Sequence, residues 1–342
     1  MSTPTAVRGL TYTQAIADAI RAEMAVDDNV VLLGEDVGRY GGIYGHMSGL
    51  YEQFSGRVRD TPISEAGFIG AAAGAATRGV RPIVELMTVD FFGVAMDQIY
   101  NYLAKVRYVS NGSRGVPMVI MASVGNPLRQ GVTHSQTLHG TFAHLPGLKV
   151  VTPATPGDVE ALMRAAIRDD DPVLFLFHRA LLSISDVPWD VTAPGAAGIG
   201  RAAVRRPGTD ITIVAVSFMV HQAMEAAESL AAEDIDAEVL DLRGLVPLDG
   251  AALEESVRRT GRLLVLDEDY RSFGMSAEIM AVAIERAADA LRTPPRRLAR
   301  VDVPIPFSRP LEDAVMLSPT KIADAARAVV QARPRPMTEE IR

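Results

Sequence analysis

The feature that most constrains this chain is a rhythm. Short, wholly apolar runs alternate with segments of helical periodicity, and the pattern plays twice. In the first series the runs are VVLLG (30–34), PIVEL (82–86), MVIMAS (118–123), KVVTP (149–153) and VLFLF (173–177). Such runs suit strands buried on both faces, which means a parallel sheet covered by helices. Between them, residues 11–25 put Ile16, Ile20 and Met24 on one helical face, with Thr13 as the expected cap. Residues 93–109 align Met96, Ile99, Leu103 and Val106 in one long helix that stops at Ser110-Asn111-Gly112, and residues 158–169 form another. A further helix is expected from Glu65, with Ser64 as its cap. The second series runs ITIVAVS (211–217), AEVLDL (237–242), LLVLDE (263–268) and LARVDV (298–303), with helices expected from about Val220, Asp249, Phe273 and Ser318. Pro and Gly crowd the stretch between, and ARPRPMTEEIR (332–342) reads as a loose tail. The expectation is an α/β protein of two doubly wound domains with mainly parallel sheets: 1–185, a linker at 186–209, and 210–342.

Charge narrows the function. The formal net charge is −8, which disfavours nucleic acid and anionic membrane surfaces, because both demand clustered Lys and Arg. There is no cysteine, so disulfides, thiolate metal sites and a Cys nucleophile are excluded. The first ten residues lack an apolar signal core and FIGAAAGAA (68–76) is too short to span a bilayer, so a mature cytoplasmic chain is expected.

One carboxylate, Glu65, stands at the mouth of TPISEAGFIGAAAGAATRG (61–79). The plain reading is a first-turn glutamate complementing its helix dipole. The Gly/Ala surface beyond it argues for more. A helix bearing Gly67, Gly70 and Gly74 can approach another backbone closely. A carboxylate at that junction would be partly dry, with a raised pKa, as proton-transfer groups often are. A Rossmann reading fails, because the glycines do not follow G-x-G-x-x-G and no strand leads directly into them. Glu35 and Asp36 lie just past a buried strand, at the edge where parallel sheets bind ligands; an acidic loop start is the equal alternative. GVTHSQTLHGTFAHLPG (131–147) holds His134, His139 and His144 without an acid or Cys to complete a zinc shell. His134, among Gly, Ser and Thr, suits anion binding or proton shuttling, while His144 beside an apolar turn reads as structural. No G-x-S-x-G elbow supports a serine hydrolase.

Taken together, LLGEDVG, TPISEAGFIGAAAGAA, RPIVELMTVDFFGVAMDQI, HSQTLHGTFAHLPGLKVVTPATPGD and AIRDDDPV resemble, in order, the β subunit of the thiamine-diphosphate-dependent decarboxylating component of 2-oxo acid dehydrogenase complexes. Pyruvate, branched-chain and acetoin dehydrogenases share that subunit. The likeness extends from about Thr11 to Ile322. It implies a transketolase-like pyrimidine-binding domain followed by a transketolase C-terminal-like domain. It implies that Glu65 touches the aminopyrimidine nitrogen of thiamine diphosphate and that Glu35 assists proton communication near the cofactor. Phe91 and Met87 would pack on the pyrimidine, although core packing explains them as well. His134 would stand beside the substrate carboxylate and the incoming lipoyl group. A structural potassium ion would take Met118, Ala166, Ile167, Asp169 and Asp171, mainly by carbonyl oxygens.

The chain lacks the GDG segment and later Asn that hold the diphosphate through Mg²⁺ in such enzymes. An α subunit should therefore supply those contacts, in an assembly of two α and two β chains, and the β chain alone should be inactive. The second domain would serve self-association of β chains and docking of the lipoyl-bearing acyltransferase. Two stretches depart from the family: SVGNPLRQGVT (123–133), where Arg129 could meet an anionic substrate or face solvent, and Phe177, where many relatives carry Glu. Pyruvate is the leading substrate, with acetoin or a branched-chain 2-oxo acid as alternatives. A non-catalytic assembly module and a self-contained transketolase-like enzyme are the readings from other classes.

Overall fold

A computed structural model describes residues 9–125, 129–185, 187–189 and 198–332. Residues 186 and 190–197 of the expected linker and the tail beyond residue 332 lie outside the described residues. The first half contains α1 (Tyr12–Val26), β1 (Val30–Gly34), α2 (Leu50–Phe54), β2 (Val58–Asp60), α3 (Glu65–Ala76), β3 (Arg81–Thr88), α4 (Val106–Val109), β4 (Val119–Val124), α5 (His139–Ala143), β5 (Lys149–Val151), α6 (Pro156–Arg168) and β6 (Val173–His178). The second contains β7 (Ala203–Arg206), β8 (Ile211–Ala215), α7 (Phe218–Ala231), β9 (Ala237–Asp241), β10 (Gly244–Val246), α8 (Gly250–Thr260), β11 (Leu263–Tyr270), α9 (Met275–Ala287), β12 (Arg296–Arg300), α10 (Arg309–Val315) and α11 (Pro319–Val330).

Two sheets result. One has seven strands in the order β10-β5-β6-β4-β3-β1-β2, and the other has five in the order β12-β11-β8-β9-β7. Within each, the pairs are parallel except at one edge, where β10 runs against β5 and β7 against β9. Both exceptions bear on the boundary drawn from sequence. β7 falls inside the stretch expected to be linker, and β10, from the second half, completes the first sheet.

The apolar runs become strands because both faces are covered. Ile16, Ile20 and Met24 of α1 pack with Val159, Leu162 and Met163 of α6 on one face of the first sheet. Ile69, Ala72 and Ala73 of α3 cover the other with Phe92, Ile99 and Leu103, in an apolar cluster that continues to Leu240 and Val265 of the second domain. Each fully buried aliphatic side chain contributes about 1.5–3 kcal/mol. In the second domain α7 and α11 pack together, with Val220, Ala223, Ile322 and Ala326 buried between helices and sheet.

Several local expectations are corrected. Thr11, not Thr13, caps α1: it accepts from Gln14 N at 3.1 Å while Gln14 Oε1 accepts from Thr11 N at 2.8 Å, a reciprocal capping box. Thr13 instead donates to Leu182 O at 2.6 Å. Ser64 precedes α3 without a side-chain cap. The long helix expected at 93–109 is broken into tight turns at Val89–Ala95, a wide turn at Gln98–Leu103, and α4. The Ala104 N–H reaches back five residues to Ile99 O at 3.1 Å, and this extra residue per turn interrupts the helix while Ile99, Leu103 and Val106 stay buried. α7 begins two residues before Val220, α9 two after Phe273, and α10 was not anticipated.

Candidate functional site

The carboxyl ends of β1, β3, β4 and β6 gather the chemistry of the first domain. β1 ends at Gly34, where a Cβ would lie 2.8 Å from Glu85 O, so only glycine lets these strand ends close up. Glu35 is the next residue and is 7% exposed; Glu65 opens α3 at 8%; Glu85, within β3, is 1% exposed. Burial first, then the charges of Glu65, Glu85 and Asp36, push the Glu35 carboxyl above the usual carboxylate range. No cation answers this group among the described residues. Glu35 Oε1, Glu85 Oε1 and both ring nitrogens of the buried His46 lack hydrogen-bond partners, and His46 Nε2 stops 3.5 Å from Glu85 Oε1. Orphaned polar atoms at a sheet edge are apt to be satisfied from outside the chain.

Beside the acids, β3 bulges. Its pairing with β4 slips between Glu85 and Thr88, and Met87 adopts φ 43°. Ser123 Oγ fastens the bulge by donating to Met87 O at 2.6 Å. Thr88 Oγ1 donates to Asp90 Oδ2, and Gln136 Nε2 to Asp90 Oδ1, both at 2.8 Å. Phe91 comes next and meets His134 edge-on with ring centroids 5.2 Å apart. His134 Nδ1 lies 2.9 Å from Thr133 Oγ1. Met87, Phe91 and His134 thus share one corner, on the edge where Glu35 and Glu65 sit.

Other expectations land elsewhere. Arg129 is exposed with φ 51°, and its charge acts on Glu312 of α10. His144 is exposed at the end of α5, beside the buried Leu145. Ala166, Ile167, Asp169 and Asp171 cluster where α6 ends. There Arg81 donates to Ile167 O at 3.1 Å and Asp169 O at 3.0 Å, while Lys149 Nζ grips both Asp169 oxygens at 2.7 and 2.6 Å. Met118 O accepts from Val173 N at 2.9 Å in the strand ladder.

Sequence reasoning missed His46, Glu85, Asp90, Gln136 and Arg179. Glu85 was visible as the one acid in an otherwise apolar strand, and His46 as a histidine in a glycine-rich loop past β1. Arg179 is buried and donates to Gln130 Oε1 and, at 3.3 Å, to Thr88 Oγ1; burial lowers its pKa. Nothing in its local sequence marks it.

The outer face of α3 answers the question its glycines raise. A Cβ at Gly74 would meet nothing within 4 Å, and one at Gly67 would meet only Ser64. Ile63 beside them is 82% exposed. Gly70 differs: a Cβ there would lie 3.4 Å from Gln98 Cγ, a neighbour within the chain.

Among the described residues, no group of three or more His, Asp or Glu is arranged to hold a metal, and no helix is long and apolar enough to cross a membrane. Residues 8–184 match the transketolase pyrimidine-binding domain family and residues 200–322 the transketolase C-terminal domain family. The chain is 43% identical to the acetoin:2,6-dichlorophenolindophenol oxidoreductase β subunit of Cupriavidus necator, covering 95% of this chain and 98% of that one. It is 40% identical to the 2-oxoisovalerate dehydrogenase β subunit of Bacillus subtilis, over 94% of this chain and 99% of that one. It is also 40% identical to the mitochondrial pyruvate dehydrogenase E1 component β subunit of Dictyostelium discoideum, over 95% and 92%. A solved split-gene transketolase, an inactive β4 tetramer, shares the fold at a TM-score of 0.78 and 24% identity, covering 95% of this chain and 100% of that one.

Proposed function

This chain belongs to the family of transketolase-like β subunits of pyruvate, branched-chain 2-oxo acid and acetoin dehydrogenases, and from that premise we propose that it carries the pyrimidine half of a shared thiamine-diphosphate site. The observation that carries the proposal is the cluster of Glu35, Glu65, Glu85 and His46 at one sheet edge, buried and without cations, with Phe91 and His134 beside it. A heterocycle with ring nitrogens and an amino group suits such a cluster, because it can both accept and donate where the chain leaves polar atoms unsatisfied.

When bound, thiamine diphosphate would supply a nucleophilic carbon and an electron sink for the pair left behind as the substrate carboxylate is lost as CO₂. The chain's own residues do the rest. Glu65 holds a proton at the pyrimidine ring nitrogen. Glu35, whose carboxyl is held protonated more readily than an exposed acid, hands protons along the same edge. Met87, set in its strained bulge, and Phe91 form the walls that orient the ring. His134 moves a proton at the substrate, and Arg129 adds positive charge on the approach.

An α subunit supplies the diphosphate and Mg²⁺ contacts, so the β chain acts only within an assembly of two α and two β chains. The open glycine face of α3 supports a close interchain contact. The acceptor is the lipoyl group of a partner acyltransferase. The reading also includes a potassium ion at the α6 corner, whose carbonyls already converge on a cationic group; such an ion would share them with Arg81. The substrate is a 2-oxo acid, pyruvate first. Acetoin is the second reading, favoured by the relative at 43% identity. The reconstituted α–β enzyme, assayed with pyruvate, a branched-chain 2-oxo acid and acetoin against an artificial electron acceptor, gives its highest kcat/KM with pyruvate. A highest value with acetoin replaces the substrate, and no activity with any of them favours an assembly module.

A further inference from the structure

The second sheet carries acids of its own, and the first domain's histidines fill the space above them. Just before its last residue, Tyr270, β11 carries Asp267, Glu268 and Asp269, which are 2%, 4% and 5% exposed. Three successive side chains are buried because the pairing of β11 with β12 slips between Asp267 and Tyr270, and a bulge turns side chains that would otherwise alternate. In open parallel sheets this edge is where ligands bind. Here His178, at the end of β6, stacks on Phe218 with centroids 4.9 Å apart and brings Nε2 to 2.9 Å from Glu268 Oε2. His139, which opens α5, sets Nε2 2.8 Å from Asp267 Oδ1. Asp267 is fixed in turn by Ser276 N at 2.9 Å and Asp269 N at 3.0 Å. Arg300 of β12, also buried, reaches Thr137 Oγ1 at 3.4 Å and lies over the Tyr270 ring at 5.0 Å.

These contacts bracket one segment, residues 129–138, with His134 in its middle. Gly125, just before it, leaves no room for a side chain: a Cβ would stand 1.9 Å from His178 Nε2. Gln130 accepts from Arg179, and a Cβ at Gly131 would lie 3.6 Å from Phe307 of the second domain. Gln136 is tied to Asp90, and its carbonyl accepts from Gly125 N at 3.0 Å. Thr137 and His139 then cross to the second domain. His134 is half-buried between, against Thr133 and Phe91.

We propose that His139, gripped by Asp267, is a positioning residue that fixes the segment bearing His134, so that acids of the second domain set the place of a group acting in the first. The proposal rests on His134 moving a proton at the substrate, and its test separates the two. Burial alone would push His139 down; Asp267, then Asp269 and Glu268, outweigh it and raise its pKa to about 9. The charged groups facing His139 come from β11, with Arg300 of β12 opposing them beyond Glu268.

The test uses reconstituted α–β enzyme carrying His139→Ala or His139→Gln, with hydrogen exchange and steady-state kinetics measured on the same samples. His139→Ala raises exchange in 129–138 by about tenfold and leaves β4 (119–124) unchanged. kcat with the 2-oxo acid falls about fivefold while KM changes less than about twofold, as displacement of a proton-transfer group requires. The glutamine, which still donates to Asp267, recovers at least half of both effects. In the wild type, protection of 129–138, corrected for intrinsic exchange, falls as pH rises through about 9, where His139 loses its charge. Unchanged exchange in 129–138, equal loosening of 119–124, or a glutamine no better than alanine overturns the proposal. If the alanine variant fails to assemble, the wild-type pH series decides, and a flat profile overturns it. Exchange altered with kcat unmoved overturns the role of His134 instead.

Discussion

Both sheets end their central strands in the same way, with a β-bulge and a cluster of buried acids, yet the two clusters are in opposite electrostatic states. At the first edge Glu35, Glu65, Glu85 and Asp36 face one another, and burial with that repulsion pushes Glu35 toward its protonated form. At the second, Asp267 and Glu268 would be pushed up by burial, but His139 and His178 outweigh that and hold both carboxyls below their ordinary values. The difference teaches what each edge faces. Both edges keep buried polar atoms without hydrogen-bond partners, Glu35 Oε1 and Glu85 Oε1 at the first and Glu268 Oε1 and Arg300 Nε at the second, so the contrast lies in charge: acids that meet only acids stay costly until something from outside the chain relieves them. Acids that meet histidine and arginine mark the place where the chain supplies its own counter-charge. One architecture, used twice, gives a site open to a ligand and a seam that closes on its own neighbour.

The comparison can be broken by experiment, and the largest expected effect is on catalysis. Glu65→Gln cuts kcat of the reconstituted enzyme by about a hundredfold or more, within the range of proton-transfer groups, while size-exclusion chromatography still finds the α–β assembly. Full turnover in that variant removes the chemical role from the first edge. Next comes a contrast of sign in stability. Glu268→Ala strands His178 and Arg300 inside the seam and costs about 3 kcal/mol by denaturant unfolding. Glu35→Gln relieves repulsion and raises Tm of the isolated chain by about 2 °C at neutral pH. Because a raised carboxyl pKa favours the folded state below the unfolded value and loses that advantage as pH rises, the Glu35→Gln gain shrinks in acid and vanishes near about pH 4. Matching signs at the two edges would erase the distinction between them. The smallest effect is at Gly74→Ala. Helix propensity stabilises the free chain by about 0.5–1 kcal/mol, because the added methyl meets open space, while assembly with the α chain weakens. A variant that assembles as well as wild type sinks the idea that this face is an interface.

His139 ties stability to pH in the opposite direction from an ordinary acid. Its folded pKa lies above the unfolded value near 6.5, so its contribution is complete below about pH 6.5 and is lost as pH rises through about 9.

Much of this was legible in residue order. Val30–Gly34, Arg81–Thr88, Val119–Val124 and Val173–His178 stand where apolar runs predict strands, since a strand covered on both faces has no use for polar alternation. Glu65 at the head of a Gly/Ala helix and Glu35 past a buried strand were visible for the same reason: a charge in apolar company needs a cause. The long helix at 93–109 was misjudged because an apolar stripe fixes which side chains face inward and not how many residues fill each turn. β10 was invisible, since three residues carry no periodicity and its partner, β5, lies some ninety residues away in the chain.

The sequence by itself determined the alternation of strands and helices, the two sheets, and which isolated acids needed explaining, because hydrophobic burial acts on local pattern. Only the tertiary structure decided which acids would be answered. His139 meets Asp267 across 128 positions of chain, and Glu35 finds Glu85 instead of a cation. Charge pairing depends on distance in space, and residue order does not fix that until the sheets have packed.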